Sequence, residues 1–334
     1  MVILFPSNPI SPKAVDGSFG PEAHAAKEAG FKIGRIDLEV ILGGEVKIQG
    51  VPDDEAVEYR GWLMKPAQYE AMNKALGGRL MTTPEQYVTA YELPRWYRAL
   101  ASTGKPVESL TPESIWLSPE FDLTRLDEIA MLVATVFGVG EDIKKRQREF
   151  AEWQAENGPW GHPPNDLLEL PGTHAVLVKD YVKSAKHRWF DACYIHHADD
   201  AVEIKRVVKN FLNTVSDGLV GSLVFRKFER FKRIGVHSKS QLPLVNEHRA
   251  FMSYGKVFYL APYWAEGDYS GARPEPTLIE GLADGLAALP LVAVDVAERD
   301  DGRWMIVEIN PGGAAGVPEG GNVRDFYAAL WEMF

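Results

Sequence analysis

A single cysteine, Cys193, stands among 334 residues. That scarcity excludes an intramolecular disulfide framework and any cysteine-rich zinc site, and it fits a reducing compartment. Uninterrupted apolar runs of membrane-spanning length are missing too, and Met1 to Phe5 form a short apolar segment with no basic leader before it. The expectation is a soluble, cytoplasmic protein with no membrane partner. Positive charge is in deficit: 36 Lys and Arg against 47 Asp and Glu leave a net charge of −11. A field of that sign repels phosphate backbones, so no general nucleic-acid partner is expected, while a local basic pocket stays compatible with it. No Gly-x-Gly-x-x-Gly fingerprint occurs in the first α/β stretch, which weakens a dinucleotide-binding redox interpretation.

What the chain does have is apolar content, 46% of its residues, enough for a sizeable core divided into two or three units. Val2 to Phe5 and Phe31 to Asp37 read as strands around a helix from Glu22 to Ala29, with Pro21 at its start and Gly30 at its end. That order predicts a parallel α/β unit. A strand at Ala56 to Tyr59 follows, then a helix opened by Lys65-Pro66 and carrying Tyr69, Met72 and Leu76 at helical spacing. Another begins at Thr83-Pro84-Glu85-Gln86, with Thr83 as its cap. Residues 119 to 173 predict an inserted helical hairpin, Leu123 to Phe137 and Glu141 to Glu156, closed by a Gly/Pro-rich linker from Gly158 to Pro164. Beyond it come strands at His174 to Tyr181 and Gly221 to Phe228, and a hairpin within Arg249 to Leu260 turning at Tyr254-Gly255-Lys256. An apolar helix stripe of Ile279, Leu282, Leu286 and Leu289 and a last helix from about Asn322, with Phe326, Leu330 and Phe334 on one face, complete the pattern.

Near the C-terminus, Val292-Ala293-Val294-Asp295 and Met305-Ile306-Val307-Glu308-Ile309-Asn310-Pro311 flank Arg299-Asp300-Asp301-Gly302. The Asp-Gly pair is a strong hairpin signal. Folding there carries Asp295 back beside the second strand, where Glu308 and Asn310 alternate with apolar neighbours and so share a face. Two carboxylates and an amide in a small volume suit a hard divalent cation such as Mg²⁺. On the residues alone, a plain hairpin with a wet polar face is the alternative.

Three further segments carry chemistry. Val176-Leu177-Val178-Lys179-Asp180-Tyr181-Val182-Lys183-Ser184-Ala185-Lys186 ends a strand in lysine and adds two more lysines in the loop, a set able to hold phosphates or simply to face solvent. Leu223 to Glu229 is an apolar strand running into Arg226-Lys227-Phe228-Glu229, which can offer backbone donors and acceptors to a purine or merely end a core strand. Glu247 and Arg249 fall on one strand face, suited to ribose hydroxyls and phosphate, or to a surface ion pair.

In this order the four segments resemble the ATP-grasp superfamily, whose metal signature is an Asp followed, after a short turn, by Glu-x-Asn-Pro. The resemblance implies an α/β (α+β) fold with a Rossmann-like pre-ATP-grasp domain at residues 1–112, then a two-lobed ATP-grasp domain at 113–334 that contains the insertion at about 119–173. It implies ATP and Mg²⁺ as cofactors, with Asp295, Glu308 and Asn310 as metal ligands. Lys179 would meet the ATP phosphates, Arg226, Lys227, Phe228 and Glu229 would form the adenine hinge, and Glu247 would contact the ribose. The loop after Lys179 lacks the family's usual glycines, and Ala293 stands where many members have arginine. The stretches Tyr59-Arg60-Gly61-Trp62 and Lys179 to Ser184 resemble a clade named for an arginine-to-lysine exchange. There Lys183 or Lys186, with Arg249, would supply the missing charge, which casts Arg249 and Lys183 as catalytic.

The implied activity is formation of an amide bond between a carboxylate and an amine, an amino acid or peptide among them, through an acyl phosphate. A phosphotransferase that stops at phosphorylation and a non-catalytic nucleotide-binding regulator are the alternatives. A homodimer is compatible with the resemblance, since related enzymes often form dimers, and the residues themselves fix no assembly. Arg60 and Trp62, at a strand end, are candidates for a substrate pocket or for capping the core.

Overall fold

The computed structural model describes residues 1–138, 174–239 and 243–334. The expected helix at Glu141 to Glu156 and the linker from Gly158 to Pro164 lie outside the described residues. Contacts divide the chain into two compact units, Met1–Thr111 with Phe231–Phe334, and Pro112–Arg230. Strands are numbered along the chain.

In the first unit, β1 (Val2–Pro6) lies between β2 (Lys32–Ile36) and β4 (Val57–Tyr59), parallel to both, and β3 (Ile48–Gln49) pairs antiparallel with β2. Every residue of β1 is buried, which explains its unbroken apolar run: a central parallel strand is covered on both faces. The helix between β1 and β2 spans Gly20–Glu28, with Pro21 in its first turn. The helices Pro66–Ala75 and Pro84–Tyr91 also form where expected. The second is closed by a reciprocal cap, in which the Gln86 N–H donates to Thr83 Oγ1 at 3.3 Å and the Thr83 N–H donates to Gln86 Oε1 at 3.0 Å. Helix Leu93–Ala101 is an addition to the expected elements. Its buried Leu93, Trp96, Tyr97 and Leu100 keep the i, i+3, i+4, i+7 spacing that identifies such a helix.

The same unit holds an antiparallel sheet in the order β12–β11–β13–β14, made of β11 (Glu247–Ser253), β12 (Lys256–Pro262), β13 (Val292–Glu298) and β14 (Trp304–Pro311). Two short strands, β9 (Arg233–Val236) and β10 (Pro243–Val245), pair separately. The β11–β12 turn is Tyr254-Gly255 with both φ angles positive, 45° and 78°, as a tight hairpin twist requires. Ile3, Phe5, Phe31, Phe251, Leu291, Ala293, Phe326, Tyr327 and Leu330 form one core that joins both sheets to the terminal helix Val323–Trp331. That helix begins where expected, capped by Asn322, but Phe334 lies beyond its end and is exposed. The apolar stripe at 279 to 289 is buried, yet it is not one helix. The α-helix covers Pro276–Leu282, and a 3-10 turn at Asp284–Leu286 takes over, where Gly285 fits closely against the Ala99 backbone.

Glu58 on β4 is almost fully buried, and its carboxylate accepts from the Thr82 N–H and hydroxyl at 3.0–3.3 Å. Burial lifts its pKa to about 8 against the pull of Thr82 and Arg60. The folded state therefore holds a proton that the unfolded chain has released, over the window from about 4.5 to 8. Stability falls as pH rises through that window, by at most about 1.4 kcal/mol per unit, and levels off above it. Glu58→Gln is expected to flatten this slope, as read from melting temperatures between pH 5 and 8. An unchanged slope would show that Glu58 is ionised in the fold.

The second unit carries the sheet β5–β8–β6–β7: β5 (Ser114–Trp116), β6 (Val176–Asp180), β7 (Tyr194–Ile195) and β8 (Leu223–Lys227). One face, with Val176, Val178, Leu223 and Phe225, packs on helices Leu126–Phe137 and Ala201–Val215. The latter helix is capped by Asp200 and buries Ile204, Val207, Val208 and Phe211, an amphipathic pattern that expectation from sequence passed over.

Candidate active site

The β13–β14 hairpin forms as its Asp-Gly signal predicts, and its register decides the chemistry. Near the turn, Glu298 faces Trp304, Ala297 faces Met305 and Val296 faces Ile306. Continued without interruption, that count would set Asp295 opposite Val307 and turn Glu308 to the other side of the sheet. A bulge between Asp295 and Val296 adds one residue on β14, so that Asp295 faces Glu308 and Ala293 faces Asn310. Directly opposed residues stand about 5 Å apart at their Cβ atoms. Asp295, Glu308 and Asn310 therefore lie on one face of one hairpin.

On the other side of β13, Arg249 is the direct partner of Asp295. Its Nε and Nη2 each donate to one Asp295 oxygen at 2.7 Å, a two-pronged charge-assisted pair, and Nη1 donates to the Gly316 carbonyl at 3.0 Å. The Tyr263 ring lies 4.9 Å beneath the guanidinium. Burial works against the charge on Arg249, but the Asp295 carboxylate, with Tyr263 and Glu247 nearby, holds its pKa above the ordinary value. Arg249 therefore keeps its charge. Ala293, where many members of the resembled family have arginine, is fully buried opposite Phe251 in the apolar core. A guanidinium reaches Asp295 here from the neighbouring strand instead.

These residues suit a hard cation. Each Asp295 oxygen accepts one Arg249 N–H, and a carboxylate oxygen has room for more than one partner, while Glu308 and Asn310 supply further oxygens at the same level. Among the described residues no three His, Cys, Asp or Glu side chains gather as a metal site, and the set here is two carboxylates and an amide. Glu247 sits two residues before Arg249 on β11, on the same face.

In the second unit, Lys179 is buried at the end of β6, and Arg226 is buried on the adjacent β8. Their register puts both on the face opposite that unit's helix-packed core. The loop is shaped by Asp180, which accepts from the Val182 N–H at 2.7 Å, the Lys183 N–H and the Val220 N–H at 3.1 Å. This turn leaves Lys183 exposed, and Lys186 is exposed as well. Burial pushes the Cys193 thiol up to about 12 despite opposition from Lys186 and Lys179. Buried as it is, the cysteine is an inert thiol.

Of the residues expected at the adenine hinge, Lys227 pairs with Glu229 at 3.7 Å, and the Phe228 N–H donates to the Ala175 carbonyl. The Phe228 ring is edge-on to Tyr194 at 5.1 Å and to Trp189 at 6.2 Å. It is occupied by packing within its own unit.

Arg60 serves the core. Trp62 is half exposed, edge-on to Phe19 at 5.0 Å. The glycines after Asn310-Pro311 have a packing reason: a Cβ on Gly313 would collide with the Tyr59 carbonyl oxygen.

Among the described residues no helix is long and apolar enough to cross a membrane. No protein of curated function matches the sequence. Residues 169–331 match the model of an ATP-grasp domain family, the third family of the arginine-to-lysine clade. Among solved structures, the chain is similar to D-cycloserine synthetase DcsG, with 16% identity over 99% of both chains and a TM-score of 0.54. It is similar as well to a RimK domain ATP-grasp protein from Sphaerobacter thermophilus DSM 20745, at 11% identity, 99% and 98% coverage and a TM-score of 0.55. The D-alanine-D-alanine ligase from Coxiella burnetii gives 11% identity, 100% and 93% coverage and a TM-score of 0.54. At such identities the likeness speaks for the fold. The chain has the α/β ATP-grasp fold, and its residues 169–331 are an ATP-grasp domain of the arginine-to-lysine clade.

Proposed function

We propose that the protein is an ATP- and Mg²⁺-dependent ligase that joins a carboxylate to an amine through an acyl phosphate. The observation that carries this is the apposition of Asp295 and Glu308, with Asn310 beside them, on one face of the β13–β14 hairpin. Among the named structural relatives are a synthetase and a D-alanine-D-alanine ligase, which supports ligase chemistry here. In this reading a substrate carboxylate oxygen attacks the γ-phosphorus of ATP, and the bond to the ADP oxygen breaks. The amine then attacks the acyl carbon, phosphate leaves, and the nitrogen releases a proton. Bound Mg²⁺ neutralises charge on the phosphates. Asp295, Glu308 and Asn310 are its proposed ligands. Arg249 fixes the Asp295 carboxylate. Lys179, Lys183 and Lys186 are proposed phosphate contacts, Arg226 to Glu229 the purine hinge and Glu247 the ribose contact. Residues 1–112 are proposed as the preceding domain and 113–334 as the ATP-grasp domain.

ADP release measured across a panel of amino acids and short peptides, with and without an amine, tests the activity. Amine-dependent release with an amide product is expected. Release that needs no amine and yields a stable phosphorylated product would make the protein a phosphotransferase. Nucleotide binding with no ADP formed under any condition would make it a regulator. Lys179→Ala is expected to weaken ADP binding about tenfold or more by calorimetry, as the loss of a charge-assisted contact implies. Unchanged affinity would remove Lys179 from the site.

A further inference from the structure

Arg60 closes β4 and is 2% exposed, yet the carbonyls it holds belong to the other end of the chain. Its Nε donates to Glu22 Oε2 at 2.7 Å, which also accepts the Tyr327 hydroxyl at 2.8 Å. Its Nη1 donates to the Gly312 carbonyl at 2.8 Å and to the Ala315 carbonyl. The guanidinium carbon lies over the rings of Phe326 and Phe251, at 5.1 and 5.7 Å. Next to it, the Gly61 N–H donates to the Gly313 carbonyl at 2.9 Å. The segment so held, Gly312 to Gly316, continues β14 directly after Asn310-Pro311. Its far end, the Gly316 carbonyl, is where Arg249 anchors while gripping Asp295. Two arginines thus hold one short segment, Arg60 at Gly312 and Ala315 and Arg249 at Gly316.

We propose that Arg60 is a positioning residue for the metal-ligand hairpin: through the carbonyls of Gly312 and Ala315 it fixes where Asn310 and the Arg249–Asp295 pair stand. The inference rests on the proposed metal-dependent function. Nε and Nη1 of one planar guanidinium serve a carboxylate and two backbone carbonyls at once, a geometry that a lysine ammonium on a flexible stem does not reproduce. Residues that orient ligands from behind change metal affinity by about tenfold to a hundredfold when altered.

The test titrates Mn²⁺, as a probe for Mg²⁺, into protein saturated with ADP, followed by electron paramagnetic resonance, in wild type and Arg60→Lys. Expected is Mn²⁺ binding weakened by about tenfold or more in Arg60→Lys, with metal-free ADP affinity unchanged within about twofold. Hydrogen exchange at Gly313 to Gly316 should be faster as well. A folded Arg60→Lys that binds Mn²⁺ as wild type does overturns the inference and leaves the functional reading standing. Wild type that binds no Mn²⁺ overturns both. If Arg60→Lys does not fold, Glu22→Gln replaces it, removing the counter-charge while keeping the guanidinium. Weakened Mn²⁺ binding then supports the inference, and unchanged binding overturns it.

Discussion

Glu308→Gln is expected to lower Mg·ATP turnover by on the order of 10²–10³-fold, the equivalent of the several kcal/mol that a metal ligand supplies to charge stabilisation. The substitution keeps the shape of the side chain and removes its charge. Glu308 is only half-buried and stands at a strand position that glutamine tolerates, so the melting temperature should move by less than about 3 °C. Turnover and thermal melting on the same preparation check the result. Full turnover in a folded Glu308→Gln would detach this carboxylate from the chemistry and, with it, the ligase proposal.

Asp295→Ala has a different signature, because Asp295 has two tasks. Removing it leaves the Arg249 guanidinium buried without its counter-charge, a change that costs roughly 3–5 kcal/mol where the pair is well desolvated. Here the Asp295 side chain is 2% exposed and that of Arg249 11%, so the larger part of that range is expected in chemical denaturation. Replacing both partners by apolar residues, Arg249→Met with Asp295→Leu, should recover most of the lost stability, since the desolvation penalty goes with the pair. Turnover should be absent in the single and the double variant alike. An Asp295→Ala protein as stable as wild type would mean that the pair is not desolvated in solution.

Much of this architecture is legible in the sequence because the local signals agree with the fold. Unbroken apolar residues mark β1, Thr83 with Gln86 marks a helix start, and Asp-Gly at 301–302 marks the hairpin. Alternation along β14 is enough to put Glu308 and Asn310 on one face. Other features depend on partners far along the chain. Nothing near Arg60 announces that Gly312 and Ala315 are its acceptors, more than 250 positions away. The Arg249–Asp295 pair follows from the β11–β13 register, which no turn connects. The apolar stripe at Ile279 to Leu289 has a helical period but changes to a 3-10 turn halfway, because Gly285 lies close against the Ala99 backbone. Helix Ala201–Val215 is the reverse case: its cap and periodicity were present in full, in a stretch without chemistry to draw notice.

The inserted residue in β14 has a consequence for how this hairpin can vary in length. A residue gained or lost between Glu298 and Trp304 is absorbed by the turn, because hairpin loops of odd and even length both close, and the ladder behind it is untouched. Between Trp304 and Glu308 the chain is tied to the kink: without Val307 the ladder would run on regularly and still set the two acids opposite one another. Homologous chains can therefore differ freely in the length of the turn, while the stretch from the first paired residue to the glutamate should vary only with the kink itself.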